Sequence, residues 1–131
     1  MPANVEIKAR LADPAVTRRL VEAICDGPHV VLKQRDTFFR CPQGRLKLRE
    51  TADGQPELIA YERADVAAAK QSDYDIAPVS DPAALAVVLG RALGTGPIVE
   101  KTRLLFHVGQ TRVHLDAVVG LGDFLELEVV L

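Results

Sequence analysis

From Ala3 to Arg10 polar and apolar side chains alternate with a period of two, the pattern of a strand whose successive side chains point to opposite faces. Asn4, Glu6, Lys8 and Arg10 share one face; Val5, Ile7, Ala9 and Leu11 share the other. Helical spacing takes over at Asp13-Pro14, where Asp can accept from the first free amides and Pro suits the first helical position. Val16, Leu20 and Ile24 recur at helical spacing, and Gly27-Pro28 is the expected stop. Val30 to Arg40 favours extended structure, Pro42-Gln43-Gly44 turns the chain, and Arg45-Leu46-Lys47-Leu48-Arg49 alternates again. Asp53-Gly54 is a hairpin signal, followed by a strand from Glu57 to Arg63.

The second half repeats this order. Ala64 to Lys70 reads as a connection and Ser72 to Val79 as a strand. Asp81-Pro82 opens a second helix with an apolar stripe of Leu85, Val88, Leu89, Ala92 and Leu93, capped at Gly94. Strands follow at Ile98 to Val108, Thr111 to Val118 and Phe124 to Leu131, with turns at Gly109-Gln110 and Gly120-Leu121-Gly122. The expected class is α+β, mainly β: a single domain built on an eight-stranded, mostly antiparallel sheet with two crossover helices. Eight strands suffice to close a barrel.

The polar faces carry the candidate chemistry. Lys47 and Arg49, with Arg45, share one face; Lys101 and Arg103 share another; Arg112, His114 and Asp116 a third; Glu126 and Glu128 a fourth. If the apolar faces pack outward against the helices, these charges line the inside of a barrel, where burial is costly unless acids, bases and a ligand satisfy one another. Glu6, Asp116, Glu126 and Glu128 then offer hard oxygen ligands for Mg²⁺ or Mn²⁺. Lys8, Lys47, Arg49, Lys101 and Arg103 offer cations for phosphate oxygens. Cross-strand ion pairs on an exposed sheet would produce the same pattern.

Composition narrows the options. The 131 residues, 48% hydrophobic, fit one domain with a core. With 16 Lys plus Arg against 18 Asp plus Glu, no global field recommends nucleic acid as a partner. No apolar run spans a bilayer and no secretory leader is evident, so a cytoplasmic protein is expected. Cys25 and Cys41 read as reduced structural cysteines, and His29, His107 and His114 lack zinc spacing. Ser72 and Ser80 sit in no Gly-x-Ser-x-Gly elbow, and no Walker loop or Gly-x-Gly-x-x-Gly occurs. Two Tyr and four Phe form no base-stacking platform. Exposed sheet edges or a short C-terminus would leave room for a homodimer.

Asn4-Val5-Glu6-Ile7-Lys8 resembles the Glu-x-Glu-x-Lys signature of the CYTH superfamily, the triphosphate tunnel metalloenzymes, which include class IV adenylyl cyclases and thiamine triphosphatases. The resemblance continues through Gln34-Arg35-Asp36-Thr37-Phe38-Phe39, Gly44 to Glu50, Glu100-Lys101-Thr102-Arg103, and His114 to Glu128. It implies an antiparallel β-barrel, open as a tunnel, that binds a triphosphate such as ATP, thiamine triphosphate or tripolyphosphate with Mg²⁺ or Mn²⁺. Carried over motif by motif, Glu6, Glu126 and Glu128 would be metal ligands, with Asp116 a ligand or orienter. Arg35, Lys47, Arg49, Lys101, Arg103 and Arg112 would hold phosphates, and Lys8 would activate or position the nucleophile. A lysine base needs a depressed pKa, which desolvation and neighbouring cations can supply.

Three departures bear on function. Asn4 replaces the first Glu of the signature, removing one acid. The lysine that the family often carries on the fourth strand falls at Glu62, with Arg63 expected on the opposite face. Relatives commonly continue past the last strand into helical sequence, so a form ending at Leu131 would occlude its tunnel less and exclude less water. The implied activities are cyclisation of ATP, hydrolysis of a terminal phosphate, or, with catalysis weakened, nucleotide or polyphosphate binding alone.

Overall fold

The computed structural model describes residues 2–63 and 68–131; the connection expected at 64–70 lies partly outside them. The strands are β1 (Ala3–Arg10), β2 (Val30–Phe39), β3 (Arg45–Thr51), β4 (Glu57–Arg63), β5 (Lys70–Pro78), β6 (Thr95–Val108), β7 (Thr111–Val118) and β8 (Gly122–Val130). Helix α1 (Pro14–Ile24) joins β1 to β2, and α2 (Pro82–Leu93) joins β5 to β6. Two meanders, β2 to β5 and β6 to β8, meet where β2 pairs with β6, and β1 seals the cylinder between β5 and β8. The result is a closed, eight-stranded, antiparallel barrel with two crossover helices. Because closure leaves no free sheet edge among the described residues, the edge-based reason for self-association falls away.

Local chemistry starts and stops the elements as the sequence predicts. Asp13 Oδ1 accepts from the Val16 amide at 3.2 Å and Asp81 Oδ1 from the Ala84 amide at 3.1 Å, capping the two helices. At the turn into β3, Gly44 has φ +62°, and a Cβ there would stand 2.6 Å from the Tyr61 carbonyl oxygen; only glycine fits. Strand ends differ from the sequence reading where the ladder extends pairing: β5 starts at Lys70 because Lys70 pairs with Glu6, and β6 starts at Thr95 because Thr95 pairs with Phe39.

The barrel's apolar side faces outward, and each helix covers part of it. Val21 of α1 packs on Phe106, Val113 and Leu115, while Leu85, Ala86 and Leu89 of α2 pack on Phe39, Leu48 and Val79. Leu48 and Phe106 are 0% and 1% exposed. The helices dock differently from their predicted faces. Val16, Leu20 and Ile24 are exposed, because Val21 is the α1 residue set against the wall, with Cys25 beside it. Val88 of the predicted α2 stripe is likewise exposed, and Ala86 takes the contact. Helical spacing alone does not single out the docked face, and the wall beneath each helix decides which residues it buries. No helix among the described residues is long and apolar enough to cross a membrane.

Candidate active site: a charged tunnel

With most apolar faces turned out, the barrel encloses a cavity of about 460 Å³ lined from all eight strands, β5 alone turning its acidic face, Asp73 and Asp75, outward and Ser72, Tyr74 and Ile76 inward. The charges within it gather into two groups on opposite walls. On β1 and β8, Glu6, Glu126 and Glu128 bring carboxylate oxygens within 4.8 Å of one another. Across the lumen, β2, β3 and β6 bring together Asp36, Lys47, Arg49 and Lys101.

The acidic group forms because Glu6 pairs with Glu128, and Glu126 with Lys8, in the β1–β8 ladder. Each carboxylate meets a donor. Arg63 Nη1 donates to Glu6 Oε1 at 2.9 Å, Arg112 Nη2 lies 2.6 Å from Glu128 Oε1, and Asn4 Nδ2 donates to Glu128 Oε2 at 2.6 Å. Glu126 has His114 Nδ1 at 3.3 Å, with Lys8 Nζ and Arg103 Nη2 both at 3.9 Å. Burial alone would raise the Glu126 carboxyl, but His114, Arg103 and Lys8 hold it well below the usual carboxylate range. Three carboxylate oxygen donors in a partly dry setting suit a hard divalent cation such as Mg²⁺ or Mn²⁺. The buried Asn4 Oδ1 beside them has no hydrogen-bond partner among the described residues, which leaves polar capacity for a hydrated ion.

The basic group converges on one oxygen. Arg49 grips Asp36 through two bonds of 2.8 Å, and Lys47 and Lys101 stand 3.8 and 3.6 Å from the same Oδ2 that Arg49 Nη2 engages. Burial pushes the Asp36 carboxyl up, yet these three cations bring it down to about 2. Burial and the Arg49 charge push Lys47 down to about 7, and burial with the Arg103 charge pushes Lys101 down to about 8. Between the two groups, Arg103 is buried in a bidentate pair with Asp116 at 2.8 and 2.9 Å. Burial opposes its charge, but the Asp116 hydrogen bonds and the Glu126 charge raise its pKa.

Of the residues singled out from sequence, Glu6, Lys8, Lys47, Arg49, Lys101, Arg103, Arg112, Glu126 and Glu128 all line this cavity. Two stand elsewhere. Arg35 lies on the outer wall against Glu100, 3.9 Å away, because its neighbours Gln34 and Asp36 take the inward positions. Asp116 lies outside the three-carboxylate group, both its oxygens taken by Arg103. The fourth strand also differs: Arg63, not Glu62, faces inward, since the uninterrupted β3–β4 register sets Ile59 opposite Lys47 and Tyr61 opposite Arg45. Asp36 and the Asn4–Glu128 bond escaped sequence reasoning, because each acquires its role only from a neighbouring strand.

A closed barrel whose lumen holds a carboxylate triad on one wall and a cationic cradle on the other is a tunnel suited to a polyanion and a divalent cation. The CYTH domain matches residues 2–130, and the chain belongs to this family of triphosphate tunnel proteins. Its fold is similar to that of a Pyrococcus horikoshii OT3 protein, with TM-score 0.83 and 21% identity over 96% of this chain and 77% of that one. A proposed adenylate cyclase from Vibrio parahaemolyticus matches with TM-score 0.71 and 23% identity over 96% and 75% of the two chains. A Hippeastrum protein, proposed as an adenylyl cyclase and described as having a dominant triphosphatase activity, matches with TM-score 0.68 and 17% identity over 98% and 79%. No curated protein sequence matches the chain.

Proposed function

We propose that this protein is a divalent-metal-dependent enzyme that hydrolyses the terminal phosphate of a triphosphate compound inside the tunnel. The observation that carries this reading is one cavity in which three carboxylates converge on one wall and Lys47, Arg49 and Lys101 converge on the opposite one. Glu6, Glu126 and Glu128 would hold Mg²⁺ or Mn²⁺, which when bound neutralises phosphate charge and polarises the P–O bond. Lys47, Arg49 and Lys101 bind phosphate oxygens, Arg49 with the fork geometry that suits two at once. Arg63 and Arg112, now engaged by Glu6 and Glu128, extend the cationic lining when those carboxylates turn to a metal. Lys8, 3.9 Å from Glu126 and partly exposed, is the group proposed to orient the attacking water. Charge neutralisation and positioning dominate such phosphoryl transfer. Hydrolysis ranks ahead of cyclisation because the Hippeastrum neighbour, although proposed as a cyclase, is described as chiefly a triphosphatase.

The test is incubation with Mg²⁺ or Mn²⁺ and ATP, thiamine triphosphate or tripolyphosphate, measuring orthophosphate, pyrophosphate and cyclic nucleotide. Orthophosphate release that falls at least about 100-fold in Glu126→Gln supports the reading, since loss of a metal ligand costs at least as much as loss of its supporting residues. Pyrophosphate with cyclic nucleotide would instead identify a cyclase. Tight binding without turnover would identify a binding module, in which Asn4 in place of the signature's first Glu marks lost catalysis.

A further inference from the structure

We propose that the tunnel takes up its triphosphate together with a proton, and that the proton goes to Lys47. This rests on the triphosphate reading of the cavity.

Lys47 is placed where a charged ammonium is poorly supported before a ligand arrives. Its ladder neighbours are Phe38 on β2 and Ile59 on β4, neither of which offers an acceptor, and its side chain is 16% exposed. Its Nζ lies over the Tyr61 ring, 4.9 Å from the centroid, and 6.0 Å from that of Phe38, contacts that favour the ammonium only modestly against the burial. The anion within reach is Asp36, at 3.8 Å, and that carboxylate is already committed to Arg49 and shared with Lys101. One negative charge therefore serves three cations.

The remaining charged groups facing this space are mostly cationic. On its own strand Lys47 is flanked by Arg45 and Arg49; β4 contributes Arg63 and Tyr61, with Glu57 opposite Arg49; β6 contributes Lys101 and Arg103. Burial and this crowding leave the amine half neutral near pH 7. A triphosphate brings several negative charges and many acceptor oxygens to the same point, so the ammonium form becomes strongly favoured. The step balances simply: one proton leaves the buffer and occupies the Nζ lone pair as the polyanion docks. It also separates Lys47 from a general-base role, because the bound anion holds the amine protonated.

The consequence is a defined pH dependence of binding. Affinity falls as pH rises through the free-state pKa of Lys47, by up to tenfold per unit, until the bound-state pKa is passed. Lys101 adds to the loss from about pH 8 upward.

Titration calorimetry with inorganic tripolyphosphate, without divalent metal, in pairs of buffers that differ in ionisation heat, measures the uptake. The ligand's own protonation is common to wild type and variant, so the difference between wild type and Lys47→Arg isolates this residue. That difference should approach about half a proton at pH 7 and nearly one at pH 8. Equal uptake by the two proteins at pH 8 would overturn the proposal while leaving the triphosphate reading intact. Failure of the wild type to bind tripolyphosphate, with Mn²⁺ or without, would overturn both. A carbon NMR titration of the lysine ε-methylenes in the wild type gives the same answer without a substitution. There Lys47 should titrate near neutrality when free and clearly higher when bound; an ordinary lysine titration in both states would sink the proposal.

Discussion

Asp36 is the residue on which the cationic half of the tunnel depends. Fully buried and gripped by Arg49, it supplies the negative charge that lets Arg49, Lys47 and Lys101 coexist at short range. Removing one member of a buried charged set leaves the others uncompensated, at a cost of about 3–5 kcal/mol. Asp36→Asn, which keeps the shape, should lose about 3 kcal/mol in chemical denaturation. Added tripolyphosphate should restore more stability to this variant than to the wild type, because the ligand replaces the missing anion. Equal stabilisation of the two proteins would show that Asp36 does not hold the cradle. The Asp36 position in Gln34-Arg35-Asp36 is legible as a strand residue in the sequence, but its partners on β3 and β6 are not.

At the scale of elements, two helix–wall contacts support the barrel from outside. Leu48→Ala, beneath α2, should cost about 2–5 kcal/mol, because the wholly buried side chain leaves a cavity that its neighbours cannot fill. Leu20→Ala, on the exposed side of α1, should change stability by no more than about 0.5 kcal/mol. Denaturation curves on the pair test which face of α1 is docked, since comparable losses would place Leu20 in a contact. Helix existence and starts were legible because Asp-Pro caps act locally. The docked face was not, because Val16, Leu20 and Ile24 satisfy the period as well as the residues that pack.

At the scale of the whole molecule, the charged lumen sets how stability depends on pH. Asp36 titrates at about 2 in the fold against an ordinary 3.8, so its contribution is present above about pH 4 and is lost as pH falls toward 2. Glu126, also held low, adds a loss in the same direction. Lys47 and Lys101 add a second rise of stability with pH, in an alkaline window. Their folded pKa values lie below the ordinary 10.5, so the unfolded chain binds more protons and stability rises between about pH 7 and pH 10. Thermal melts of the unliganded protein should show both limbs. A stability that falls steadily from pH 7 to pH 10 would contradict the placement of these lysines.

The sequence by itself determined which residues share a face of each strand, since alternation is a property of one extended segment. It thereby placed Glu6 with Lys8, Lys47 with Arg49, and Glu126 with Glu128, and its capping chemistry placed the two helices. Only the tertiary structure decided which faces meet. Cylinder closure set β1 against β8 and assembled Glu6, Glu126 and Glu128; the β2–β3 register gave Asp36 to Arg49; and the β6–β7 pairing gave Asp116 to Arg103. The β3–β4 register turned Arg63 inward and left Glu62 outside. The physical reason is common to these cases: side-chain period is local, whereas register and closure come from hydrogen bonding between segments far apart in the chain.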